Sequence, residues 1–314
     1  MRLLKLLKKT AIGNVVYQSF KKKIMKKIEL YVFVIVLLFI GSCDLEKEPI
    51  PAYIHIKPFT INTNGNGTNK QQLKDAWISL AETGDFLGVY ELPATLPIIA
   101  DGNTDLIIEP GVLENGIKVT PNIYKFMTRY ETSIDLTPGE IDTIQPATQY
   151  DPRVKFHYQA DFEGTNSLDV VIDTSIMLET DFVLPQDGAF EGSSIGFVLD
   201  EDNPKMEVAT SDQMELPTEG DVAVMELHYK NEGVLQVALL GYETNNSTPV
   251  LTYFIALNPQ SDWNKIYIDL TATLIQYGTR FKTFRVLFGA QLPDGQTSSR
   301  YLIDNIKVME FPDN

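Results

Sequence analysis

Cysteine is almost absent from this chain. Cys43 is the only one in 314 residues, so no intrachain disulfide can form and stability rests on packing alone. Histidine is nearly as scarce: His55, His157 and His228 stand nowhere at metal-ligand spacing, which argues against a zinc site. There is no phosphate-cradling Gly-rich loop ending in Gly-Lys-Ser/Thr. Basic residues are in deficit, with 26 Lys and Arg against 42 Asp and Glu. Residues 1–42 hold nine of the basic residues and one of the acidic ones, which leaves 17 against 41 downstream, a net charge of −24. A surface of that sign repels phosphate backbones and excludes nucleic acid as a partner. No apolar run is long enough to cross a bilayer, which takes about 20 residues. The longest, from Ile28 to Ile40, is about a dozen residues and is interrupted by Glu29.

That short run sits behind a cationic stretch, Lys21, Lys22, Lys23, Lys26 and Lys27, the pattern of a secretory signal with its basic and apolar regions. Directly after it, Ile40-Gly41-Ser42-Cys43 resembles the bacterial lipobox, in which an aliphatic and two small residues precede the cysteine that takes diacylglycerol. The resemblance implies that residues 1–42 are a signal peptide and that lipidated Cys43 is the first residue of the mature chain. Met25-Lys26-Lys27 would begin a leader of ordinary length, which makes Met25 the expected start of translation. Residues 43–51 form an acidic tether carrying Asp44, Glu46 and Glu48, then Pro49 and Pro51. This cluster resembles the surface-export signal of Bacteroidota lipoproteins. The implied location is the outer membrane, exposed at the surface, with the acyl chains as membrane anchor.

The remaining chain has β texture throughout. Short alternating runs of β-branched and aromatic residues are separated by Gly, Asn, Asp and Pro, with no long helical period. Two prolines and no alternation between Ile144 and Pro152 mark a linker at 144–152. The expected fold is therefore all-β, two β-sandwich domains at 52–143 and 153–314 behind the signal peptide. In the first, strands are expected at Ala52–Ile56, Asp75–Leu80, Phe86–Leu92, Thr104–Glu109 and Tyr130–Leu136. Ala76-Trp77-Ile78-Ser79-Leu80, Gly84 to Pro93 and Ala100 to Gly111 resemble a PEGA-like surface module, which implies an immunoglobulin-like sandwich serving as a spacer. At its end, Asp142-Thr143-Ile144 resembles a Bacteroidota O-glycosylation acceptor centred on Thr143.

The second domain opens with Asp161-Phe162-Glu163-Gly164 and closes with Ile303-Asp304-Asn305-Ile306. This pairing resembles galactose-binding-like jelly rolls, many of them carbohydrate-binding modules. No cofactor is called for, but some such modules hold a structural calcium between an early acidic residue and an aspartate of the last strand, and Glu163 and Asp304 match those positions. The alternative is that both carboxylates cap strand ends. In Val222–Lys230, Ala223, Met225, Leu227 and Tyr229 share one face while Glu226 and His228 share the other. Gln236, Tyr267, Asp269 and Arg285 fall on the polar phases of their own strands. Together with Trp263, in a loop before Lys265–Leu270, these residues are candidates for the open sugar-binding face of a jelly roll, Glu226, His228, Trp263, Tyr267 and Arg285 being the ligand contacts.

No catalytic residue is expected. Gly192-Ser193-Ser194-Ile195-Gly196 fits a nucleophile elbow, but that motif works on a strand-to-helix turn and here runs into the strand Phe197-Val198-Leu199. Two non-enzymatic functions follow, with an unrecognised hydrolase as a third alternative. One is a scaffold or accessory lipoprotein that docks to an outer-membrane transporter or assembly machine, the main expectation; the other is a glycan-binding lipoprotein. Exposed aromatics on a polar sheet face favour the second, and a contiguous apolar patch favours the first.

Overall fold

The computed structural model describes residues 17–28, 31, 48–116, 121–172, 180–244 and 246–312. Cys43 and most of the apolar run before it lie outside the described residues. The chain divides into two compact units, Met1–Ile50 and Pro51–Asn314. The first contains a helix over residues 17–28. Among the described residues no helix is long and apolar enough to cross a membrane.

The second unit is built from two β-sandwiches. The first has β1 (Ala52–Ile56), β2 (Thr60–Asn62), β3 (Asp75–Leu80), β4 (Phe86–Glu91), β5 (Ala94–Ile98), β6 (Gly102–Val112), β7 (Asn122–Ile123), β8 (Tyr130–Leu136), β9 (Ile141–Ile144) and β10 (Ala147–Gln149). One sheet has the order β5-β1-β9; the facing sheet runs β4-β3-β6-β7, with β8 also on β6. Alternation explains the packing. Ala52, Ile54 and Ile56 from β1 meet Ala76 and Ile78 from β3 and Leu106 and Ile108 from β6, all at 0 % exposure. Residues 144–152, expected as a linker, are instead part of this body. Ile144 ends β9, β10 pairs in parallel with β2, and Ile144, Thr148 and Tyr150 are buried. Pro146 merely separates two short strands, a position proline tolerates.

The second sandwich has β11 (Lys155–Ala160), β12 (Leu168–Val171), β13 (Asp181–Val183), β14 (Ser194–Asp200), β15 (Lys205–Thr210), β16 (Val222–Asn231), β17 (Leu235–Glu243), β18 (Asn246–Leu257), β19 (Gln260–Asp269), β20 (Phe281–Gln291) and β21 (Ser298–Phe311). A short helix, Thr271–Tyr277, joins β19 to β20. A six-stranded sheet, β13-β14-β21-β16-β19 with β11 also on β21, faces a five-stranded sheet, β12-β15-β20-β17-β18. Met225, Leu227, Leu239, Phe284, Val286, Phe288 and Ile303 fill the space between them. The outer face of the six-stranded sheet is covered as well, since Val224, Tyr267, Met309 and Phe311 share one apolar cluster with Tyr124, Phe126 and Tyr150 of the first sandwich. β16 and β21 are accordingly buried on both faces.

Candidate functional site

The covered face holds a compact set of charges. Glu226 Oε2 accepts from Lys265 Nζ at 2.7 Å and from the Tyr150 hydroxyl at 2.9 Å, and Tyr124 donates to Oε1 at 2.5 Å. Lys307 Nζ donates to the Tyr150 hydroxyl at 2.8 Å. Burial works against ionisation of Glu226, but the ammonium groups of Lys265 and Lys307 outweigh it and hold the carboxyl at about 2. Beside this group His228 donates through Nε2 to the Lys70 carbonyl at 3.1 Å and stacks on Phe190 with centroids 4.0 Å apart. Burial, with Lys265 nearby, holds His228 at about 2, so the ring is neutral. Tyr267 packs edge-on against Tyr124 at 4.9 Å. Trp263 lies within β19 rather than in a loop, donates its indole N–H to the Gly188 carbonyl at 2.9 Å and meets Phe190 edge-on.

This arrangement corrects the expected open face. Glu226 and His228 do share the phase opposite the core, but at 0 % exposure they have no solvent to meet a ligand in, and Tyr267 is buried with them. What these side chains do is join two sandwiches. A sign was present in the strand itself, because the same phase carries Val222 and Val224 as well as Glu226 and His228. A strand apolar on both phases is one buried on both faces.

Glu163 and Asp304 are brought to adjacent residues of one segment. Glu163 accepts the Ser193 N–H at 2.9 Å, while Asp304 accepts the Ser194 hydroxyl at 2.8 Å and the Asn305 N–H at 2.7 Å. Burial, reinforced by Glu191 and Glu163, raises Asp304 to about 7 against those two donors. Calcium takes six to eight oxygen ligands. Here the carboxylates are turned onto N–H and O–H donors, and among the described residues no three His, Cys, Asp or Glu side chains gather as a metal would require. As placed, Glu163 and Asp304 are both held by hydrogen-bond donors of residues 193–194. Ser194 itself is buried at the start of β14 and hydrogen-bonded to Asp304, without the strand-to-helix turn of a nucleophile elbow. Thr143 is exposed on β9, alongside His55 of β1.

The outer face of the five-stranded sheet is different. Arg285 lies on it, although its guanidinium is committed to the carbonyls of Thr210 and Ser211. Further along, Glu207, Gly289, Gln236 and Ala256 form one cross-strand row over β15, β20, β17 and β18. Tyr253, two strands from Gly289, reaches across this row. Its hydroxyl donates to Glu207 Oε1 at 3.1 Å, and its Cε1 passes 3.8 Å from where a Gly289 Cβ would stand. That span requires the side chain to lie along the sheet, and the missing side chain at Gly289 leaves room for it. The ring passes over Gly289 and the residue remains 44 % exposed. Burial and the Glu207 carboxylate push the phenol above its ordinary value, which keeps it an O–H donor. Lys205 Nζ lies 3.0 Å from the same Glu207 oxygen, and Gln236 and Ala256 are exposed beside it. An aromatic plane flanked by a carboxylate, an ammonium and an amide can stack on an apolar ring face and hydrogen-bond its polar edge. Tyr253 was not among the expected contacts; the signal that marks it is Gly289, a glycine inside the apolar run Val286–Ala290 of β20.

No family model and no curated protein matches this chain. Among solved structures it is similar to a family 11 carbohydrate-binding module from Clostridium thermocellum in complex with a β-1,3-1,4-mixed-linked tetrasaccharide. The identity is 13 % and the TM-score 0.35, over 49 % of this chain and 94 % of that one. A carbohydrate-binding module of the β-sandwich superfamily aligns with 82 % of this chain and 96 % of its own at 11 % identity and TM-score 0.37. A family 16 carbohydrate-binding module aligns with 43 % of this chain and 87 % of its own at 11 % identity and TM-score 0.29. What each module binds belongs to that module.

Proposed function

We propose that this protein binds glycans, without catalysis, on the outer face of the five-stranded sheet. The supporting observation is Tyr253, laid along the sheet over Gly289, 44 % exposed and with its hydroxyl on Glu207. A pyranose ring presents an apolar C–H face and a hydroxyl rim, and a flat aromatic with polar groups at its margin complements both. Docking to a protein partner would call for a contiguous exposed apolar patch. On this face the apolar residues Ala238, Leu240 and Leu287 are buried at 0–1 %; Leu251 is exposed on the same phase of β18 as Tyr253, and the Glu207 carboxylate, Lys205 ammonium and Gln236 amide gather about the ring. The polar groups set about the Tyr253 ring are what favours the glycan binder over the scaffold.

The test is binding of the purified full chain to a broad glycan array, repeated with Tyr253→Ala. Loss of a stacked ring should lower affinity about five- to a hundredfold with an unchanged melting temperature. A wild-type protein that binds no glycan on the array overturns the proposal.

The same proposal includes an outer-membrane lipoprotein exposed at the surface, because Ile40-Gly41-Ser42-Cys43 follows a basic and apolar leader. Cys43→Ser should abolish incorporation of a palmitate analogue, and equal labelling of the serine variant refutes the anchor.

A further inference from the structure

A cleft of about 280 Å³ opens where the β18–β19 hairpin faces residues 72–75 and 112–116 of the first sandwich. That volume suits a small ligand or the end of a larger one. Its polar lining is dominated by carboxamides, Gln72 and Asn115 from the first sandwich and Asn258, Gln260 and Asn264 from the second. The charged groups on its walls are already balanced. Lys74 and Asp75 are sequence neighbours of opposite sign, and the Lys265 ammonium is bound to Glu226 at 2.7 Å. The site therefore offers little net charge to an anion or a cation. A carboxamide both donates and accepts, as does a sugar hydroxyl.

Two of the amides are held in place by the protein. Asn264 Nδ2 donates to the Tyr229 hydroxyl at 3.1 Å, and Asn115 Oδ1 accepts the Asp269 N–H at 3.1 Å. Those bonds leave Asn264 Oδ1 and Asn115 Nδ2 for a ligand. Ile255 and Ile266 supply an apolar wall. The cleft also adjoins the tyrosine platform along the sheet. Ala256 lines it, pairs with Gln236, and through Gln236 joins Gly289 under the Tyr253 ring.

We propose that this cleft is a second sugar site, taking the end of an uncharged glycan whose adjoining units lie on the Tyr253 platform. The ligand class rests on the glycan reading of that platform; the location and the uncharged character come from the cleft. Both sandwiches contribute to it, so the first is part of the binding site and not a spacer alone.

The experiment titrates the full chain calorimetrically with neutral hexasaccharides of glucose, galactose, mannose and xylose. It compares wild type with Asn258→Ala/Gln260→Ala, with Gln72→Ala on the opposite wall, and with Tyr253→Ala. For whichever hexasaccharide binds wild type, the cleft variants should weaken binding roughly tenfold through lost hydrogen bonds, at an unchanged melting temperature. Should the double variant melt early, Gln72→Ala is decisive by itself. Wild-type affinity in the cleft variants together with loss in Tyr253→Ala overturns the cleft and leaves the platform. Loss in the cleft variants with Tyr253→Ala unaffected overturns the platform instead. A wild-type chain that binds none of the hexasaccharides overturns both.

Discussion

On the six-stranded sheet of the second sandwich Glu226, His228 and Tyr267 are sealed under the first sandwich, whereas on the five-stranded sheet Tyr253, Gln236 and Ala256 remain open to solvent. Both faces are made of strands that place polar and aromatic groups opposite the core. One became an interface that must satisfy every charge internally, and the other a surface whose polar groups are available to a ligand. A buried carboxylate survives only with its partners in place, so the covered face is the part of the molecule least tolerant of change. The open face can lose a ring with little effect on folding. Polar side chains on a strand thus mark a binding face only where nothing else covers them.

The sharpest way to break this comparison is at Glu226. Replacing it with alanine leaves Lys265 and Lys307 buried without their carboxylate and should destabilise the protein by about 3–5 kcal/mol, read as a shift of the urea midpoint. A loss under about 1 kcal/mol would mean that this face is open to water.

Next is a matched pair of tyrosines. Tyr267→Ala empties a packed position between the sandwiches and should cost about 3–5 kcal/mol of stability. Tyr253→Ala should leave the melting temperature nearly unchanged and lower glycan affinity by about 1–3 kcal/mol. The reverse pattern, with Tyr267→Ala stable and impaired in binding, would exchange the roles of the two faces.

A pH series separates the buried charges by sign. Asp304 holds its proton in the native state up to about 7, against an ordinary value of 3.8, so within that window the native state binds more protons than the unfolded chain. Stability from this group accordingly falls as pH rises from about 4 to 7, by at most about 1.4 kcal/mol per pH unit. His228 works in the opposite sense. Its value of about 2 lies below the ordinary 6.5, so the unfolded chain takes up protons first, and stability is lost as pH falls below about 6.5. Asp304→Asn should remove the first trend and leave the second, as followed by denaturation midpoints across pH 4–8; an unaltered profile refutes the assignment.

The smallest effect is expected at Gly289. A Cβ there would meet Glu207 Cγ at 3.7 Å and Tyr253 Cε1 at 3.8 Å, ordinary contacts. Gly289→Ala should therefore fit beneath the ring and stabilise the strand by about 0.5–1 kcal/mol, since alanine loses less backbone freedom on folding. A marked loss of stability would mean that the ring lies closer to the sheet than these contacts allow.

Much of the strand layout was legible. β1, β3 and β8 occupy the same residues as the alternating runs that mark them, β4 ends one residue before its run and β16 one residue after its own. The short strands β2, β7, β9, β10, β12 and β13 were not, because two to four residues carry too little alternation to stand out. The five-residue β5, as long as β1, is instead interrupted by Pro97. β15 contains Met206 and Val208 on one phase and was passed over between the acidic turn Asp200-Glu201-Asp202 and Ser211-Asp212. Arg285 and Gln236 were placed on an outer face by phase alone. Glu226, His228 and Tyr267 were given the right phase and the wrong environment.

The β class, the inward phase of each long strand and the absence of disulfides follow from composition and period two, because neighbouring side chains on a strand must point to opposite faces whatever surrounds them. Which outer face stays open was decided only when the first sandwich settled on one of them. Burial of Val224, Met309 and Phe311 drives that contact, and Glu226, Lys265 and Lys307 tolerate it because each finds its partner there. Period two assigns a side chain to a face, but what covers that face depends on residues more than a hundred positions away, as Tyr124 is from Glu226.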